Sequence, residues 1–139
     1  MITRELARDL RDAGLVWHPA AGDRFQLDLP EHVELDVEAD IFTVSDMTIE
    51  ARQTPTGTIL AFNGTTEWAL DSVTIADAVW LPDEEQLRRL LGGTFRALRR
   101  VGDTFVVEIE VLGEDMSFEH PDPDEAYGKA LLALLRRAQ

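Results

Sequence analysis

Between Ile41 and Leu81 hydrophobic residues recur in steps of two and turn chemistry appears twice, which constrains the fold more than any other stretch. Met47, Ile49 and Ala51 alternate with Thr48, Glu50 and Arg52, the period of a strand with one face buried. Before them, Ile41–Val44 is a short β-rich run. Thr54-Pro55-Thr56-Gly57 puts proline second and glycine fourth in a turn that joins this strand to Thr58–Phe62. That strand is apolar on both faces, so a central place in the sheet is expected. Asn63-Gly64 suits a two-residue hairpin because both residues tolerate positive φ. Thr65–Leu70 is then the expected return strand, ended by Asp71-Ser72, and Val73–Ala78 leads on to Val79-Trp80-Leu81. The result is an antiparallel meander.

Three helices are expected to cover it. Thr3 suits an N-cap, and Ile2, Leu6, Leu10 and Ala13 fall on one helical face before Gly14 stops the helix. Trp17 is expected as a lid over that helix. Leu81-Pro82-Asp83-Glu84-Glu85-Gln86 reads as a capped helix start, with Asp83 and Gln86 forming a reciprocal box. Leu87, Leu90 and Leu91 are its expected buried stripe, and Gly92-Gly93 ends it. The last helix opens at Asp122-Pro123, with Glu125 expected to complete a second box. It buries Ala126, Tyr127, Ala130, Leu131, Leu134 and Leu135.

Further strands flank these elements. Phe25, Leu27 and Leu29 alternate until Pro30 interrupts them, and Val33, Leu35 and Val37 alternate with acidic residues. Asp28, Glu31, Glu34, Asp36, Glu38 and Asp40 fit a charged edge better than a calcium loop, which needs a glycine at its sharp turn. Thr94–Arg100 reads as a strand, with a short helix as the alternative, because Phe95 and Ala97 alternate with Arg96 and Leu98. Gly102-Asp103 turns it into Thr104–Leu112, where Phe105, Val107, Ile109 and Val111 face one way. Gly113-Glu114-Asp115 turns again into Met116–Glu119. The expected class is α+β: a single domain over residues 1–139, mainly an antiparallel meander sheet packed by an N-terminal, a middle and a C-terminal helix.

Chemistry is sparse. With no cysteine there is no disulfide, thiol nucleophile or thiolate-bound zinc. Ser45, Ser72 and Ser117 lie in no nucleophile elbow, and His18, His32 and His120 are far apart in sequence, each beside a proline or a turn. No phosphate-binding glycine loop, dinucleotide fingerprint or His-Glu-x-x-His is present, so no cofactor and no metal is expected. Asp46, Glu50, Glu67 and Asp71 would share a proton or a cation only if neighbouring strands aligned them. The formal net charge of −14 opposes contact with nucleic-acid phosphates and anionic membranes. No run approaches the roughly 18 apolar residues of a membrane span, and no apolar signal core follows Met1, so a cytoplasmic location is expected.

Two stretches are candidates for binding. Asn63, Thr65, Thr66, Glu67, Trp68 and Asp71 set polar side chains and a tryptophan around a tight turn. Arg88, Arg89, Arg96, Arg99 and Arg100 concentrate five of the 13 cations, and pairing with the acidic 28–40 segment is expected to occupy them. Arg96 and Arg99 stand with the hairpin residues as candidate binding residues.

The run Asn63-Gly64-Thr65-Thr66-Glu67-Trp68-Ala69-Leu70-Asp71-Ser72, with Val79-Trp80-Leu81-Pro82, Gln86-Leu87 and Glu125-Ala126-Tyr127-Gly128, resembles a family of small bacterial proteins from GC-rich genomes. Some of its members carry the label pilus assembly protein. The resemblance covers most of the chain and implies no catalytic residues. One lysine, Lys129, against twelve arginines matches the usage of such genomes.

Three functional readings follow. The first is a non-catalytic accessory module that binds a protein partner through an acidic sheet surface or the 63–72 hairpin. The second is a small carboxylate-based enzyme or ligand-binding protein with a sheet-lined pocket. The third is an acidic mimic of nucleic acid that inhibits a nucleic-acid-binding protein.

Overall fold

The computed structural model describes residues 1–29, 40–45, 49–62 and 72–138. The class is α+β, as expected, with three helices and three three-stranded antiparallel sheets among the described residues. Contacts divide the chain into two units, Trp17–Leu81 and Met1–Val16 with Pro82–Gln139.

The Trp17–Leu81 unit is built from short strands. β1 (Arg24–Leu27) lies between β2 (Phe42–Thr43) and β6 (Ala78–Trp80), while β4 (Gly57–Phe62) lies between β3 (Ile49–Thr54) and β5 (Ser72–Thr74). The central place of β4 follows from its sequence: Leu60, Ala61 and Phe62 are all buried. Thr54 pairs with Gly57, so the β3–β4 turn is the expected proline–glycine turn, with Gly57 at φ 129°. Beyond β4 the register differs from expectation. Ala61 pairs with Ser72 and Leu60 with Val73, so Ser72 belongs to a strand that it was expected to end. Thr65–Leu70, Asn63-Gly64, Val33–Val37 and Met47 lie outside the described residues.

One core serves both sheets: Trp17, Phe25, Leu27, Phe42, Val44, Ile49, Leu60, Phe62, Val73 and Ala78. Its aromatic rings form a chain. Phe25 lies 5.6 Å from Phe42, and Phe42 lies 5.6 Å from Phe62 at a near-perpendicular 74°. Trp17, expected as a lid on the first helix, is part of this core. Its ring lies 5.5 Å from Phe25 and stacks on Trp80 at 6.3 Å. Asp23 is buried there as well, and its carboxylate accepts from Trp17 Nε1 and the Ala20 amide, both at 3.0 Å. A buried carboxylate is tolerable only with such donors.

The other unit joins residues far apart in sequence. It holds α1 (Arg4–Asp12), α2 (Glu84–Leu91) and α3 (Pro123–Arg137), and the meander β7 (Phe95–Val101), β8 (Thr104–Val111) and β9 (Glu114–His120). α3 lies on β8 and β9, and both α1 and α2 pack on α3. The helices were expected to press on an antiparallel scaffold laid down between residues 41 and 112; α3 covers strands of the β7–β9 meander, whose Val107 and Ile109 are buried.

Both predicted starts for α1 and α2 are present. Thr3 Oγ1 accepts from the Leu6 amide, and Asp83 and Gln86 exchange hydrogen bonds at 2.9 Å. Leu87 and Leu91 are buried, but Leu90 is 37% exposed and leaves the expected stripe. The start of α3 differs too. The Asp122 carboxylate accepts from the Asp124 amide, while Glu125 turns to α1 and accepts from the Thr3 amide and hydroxyl at 3.4 Å. Glu125 therefore ties two helix starts together rather than closing a box on its own helix. On the same helix Leu132 is buried, whereas Leu134 is half-buried.

Gly128 is where α1 and α3 approach closely. A Cβ there would collide with the Leu6 side chain, itself 8% exposed, and lie 3.5 Å from Ile2 Cγ2. Above it, the Tyr127 ring lies 5.8 Å from Phe95. The Tyr127 hydroxyl is fully enclosed with no hydrogen-bond partner among the described residues. Burial pushes its pKa up, and the nearby Arg88 guanidinium only partly opposes that.

Candidate functional site

Phe95–Val101 is a strand, and it carries a bulge. Phe95 pairs with Ile109 but Ala97 pairs with Glu108, so β7 has one extra residue, Arg96. The bulge inverts the expected alternation. Leu98 rather than Ala97 pairs with Val107 and faces α3, and Ala97 turns to the outer face with Glu108. Arg96 is re-aimed as well. Its guanidinium donates to Gly93 O at 2.6 Å and reaches the Glu110 carboxylate at 3.2 Å.

The outer face of this sheet is the candidate surface. By register it carries Arg99, Glu108 and Glu110 beside Asp115, Ser117 and Glu119 of β9. Arg99 meets Glu108 at 2.8 Å, with both side chains more than a third exposed. Exposed pairs of this kind contribute little to stability, about 0–1 kcal/mol, so they can be exchanged for partner groups at small cost. A shallow, open pocket of about 270 Å³ is lined by Arg96, Glu108, Asp115 and Ser117 with parts of Ile109 and Met116. It is a groove in a charged face rather than an enclosed cavity.

Of the residues singled out in the sequence, Arg96 and Arg99 lie on this surface. Asn63, Thr65, Thr66, Glu67, Trp68 and Asp71 lie outside the described residues, as do Asp46 and His32. The arginine group was expected to pair with the 28–40 segment. Residues 30–39 of that segment lie outside the described residues; among the described residues Arg89, Arg96 and Arg99 pair locally, with Glu85, Glu110 and Glu108. Arg100 donates to Gly102 O at 3.1 Å. Glu50 pairs with Arg52 at 3.2 Å. His120 is structural, since its Nδ1 accepts from the Asp122 amide at 2.9 Å as α3 begins. Among the described residues no cluster of three or more His, Asp or Glu side chains is arranged to hold a metal. No described helix is long and apolar enough to cross a membrane.

Two features of this surface had little sequence signal. A bulge at Arg96 depends on what Phe95 and Leu98 find beneath them. The β8–β9 turn is Leu112-Gly113, not the expected Gly113-Glu114-Asp115, because Val111 pairs with Glu114. β9 accordingly extends from Glu114 to His120, longer than the expected Met116–Glu119. Comparison of the chain with family models, curated proteins and solved structures finds no match.

Proposed function

We propose that this chain is a non-catalytic binding module whose β7–β9 outer face docks on a protein partner. One observation carries the reading: a three-stranded meander, backed by α3, displays exposed carboxylates and arginines around an open groove. Strands position such groups more firmly than loops do, and charge complementarity then sets partner choice and association rate. Glu108, Glu110, Asp115 and Glu119 against Arg96 and Arg99 make the face acidic, so the complementary partner is basic. Catalysis by paired carboxylates has weaker support, since Glu108 and Glu110 are each held by an arginine and the groove is open to water.

The test is capture of a partner from native cell extract at low salt, followed by titration with the purified partner. The double substitution Glu108→Arg with Glu110→Arg is expected to weaken the complex at least tenfold, and added salt is expected to weaken it further. Unchanged affinity of that variant, or no retained partner in low salt, would contradict the proposal.

A further inference from the structure

The β8–β9 turn puts a leucine where the backbone favours asparagine or glycine. Leu112 and Gly113 form the whole loop, and both have positive φ, 51° and 81°. Two-residue turns of this hand match the twist of their strands, and Asn-Gly or Asp-Gly makes them without strain. An L-residue there crowds its Cβ against the backbone, a penalty of roughly five- to thirtyfold in a folding equilibrium. Leu112 is the one non-glycine residue with positive φ among the described residues. It is also 94% exposed, so its side chain regains nothing by burial. Strain that the fold does not use points to a use outside the fold.

We infer that Leu112 is the apolar anchor of the docking surface, entering a hydrophobic pocket with a basic rim on the partner protein. The inference rests on the binding role assigned above to this face. Three observations set the partner's chemistry. First, the turn is an isolated apolar tip, the shape that fills a pocket rather than covers a plane. Second, Glu110, Glu114 and Asp115 flank it. Arg96 offsets Glu110 at 3.2 Å and Arg137 offsets Glu114 at 2.9 Å, while Asp115 makes no ion pair with a described residue. A basic rim satisfies that carboxylate. Third, Asp115 also lines the open groove with Glu108 and Ser117, which gives a lysine or arginine from the rim a place beside the anchor. The same carboxylates and the net charge of −14 repel anionic lipid headgroups, and a symmetric pair of copies would set like charges against each other.

The decisive variant is Leu112→Asn, which keeps the turn geometry and removes the anchor. It is expected to favour the folded state about fivefold or more in denaturant titration. Affinity for the protein captured by the wild-type chain is expected to fall at least tenfold, as loss of a buried leucine requires. Leu112→Met, which restores apolar reach, is expected to bind within threefold of wild type. If Leu112→Asn binds normally while Glu108→Arg with Glu110→Arg does not, the surface stands and the anchor is overturned. If both variants bind normally, both proposals fall. No gain in stability for Leu112→Asn overturns the strain argument. Leu112-dependent binding to phosphatidylcholine or phosphatidylserine vesicles, or Leu112-dependent dimerisation in sedimentation, overturns the assignment to a protein pocket.

Discussion

The two units solve the same problem with different material. Trp17–Leu81 relies on aromatic rings in contact across two sheets of strands two to six residues long. The other unit relies on leucines, alanines and one glycine, with α3 seated on a meander of strands of seven, eight and seven residues. Short strands define a core poorly by themselves, so large rings must supply the buried area. Long strands and capped helices specify their own geometry, and small residues then let the elements approach. The first unit should therefore depend on a few large side chains, and the second on fit and helix termini.

Substitutions that strike one unit and spare the other would sharpen that contrast. The largest effect is expected from Phe25→Ala, because Phe25 is fully buried and touches both Trp17 and Phe42. It should cost about 3–5 kcal/mol, read from tryptophan fluorescence in urea. In the helical unit, Thr3→Ala removes a cap and strips the buried Glu125 of the hydroxyl that it accepts from. A loss of about 1–2 kcal/mol, read from circular dichroism at 222 nm, is expected. An unchanged midpoint would sever the link between the two helix starts.

Gly128→Ala should cost about 1 kcal/mol. Overpacking against Leu6 costs roughly 1–3 kcal/mol, while alanine recovers about 1 kcal/mol of helix propensity. Combining it with Leu6→Ala should be less damaging than the sum, and a stabilised single variant would show that α1 has room to move. Tyr127→Phe removes a buried hydroxyl that finds no partner and should raise stability by about 0.5–1 kcal/mol. A loss instead would assign Arg88 as a true partner of that hydroxyl.

The smallest effect concerns pH. Burial disfavours charge on the Met1 ammonium, but Asp124 and Asp122 outweigh it and hold the group above its ordinary value of 8.0. Burial likewise holds Tyr127 above its ordinary 10.0. In both cases the folded form keeps its proton more tightly. The stabilisation is complete below the ordinary value and lost as pH rises through the folded one. The 222 nm midpoint should thus decline above pH 8 and again above pH 10, and a rise across either interval would contradict the sign.

What could be read in advance followed from locality. Thr3, Asp83, Asp122 and the Pro55–Gly57 turn act within four residues of themselves, and each was legible. Trp17 was misplaced because its partners Phe25 and Trp80 are chosen by strand pairing, which short apolar runs do not encode. Glu125 has the right spacing for its own box, yet a donor pair 122 residues away took it. The Arg96 bulge was invisible because a strict alternation reads equally well with Ala97 or Leu98 inward. Of the candidate surface, Arg96 and Arg99 stood out as a cluster of like charge, whereas Leu112 looked like the last residue of a strand.

All three described helices lie in one unit, and Trp17, Trp68 and Trp80 all fall within the sequence span of the other. Helical dichroism and tryptophan fluorescence therefore report on different cores. Urea unfolding of Phe25→Ala and of Leu10→Ala, followed by both signals, asks directly whether each core holds its own unit. The account predicts that Phe25→Ala lowers the fluorescence midpoint by more than the 222 nm midpoint, with the reverse for Leu10→Ala. Coincident shifts of both signals in both variants would contradict it.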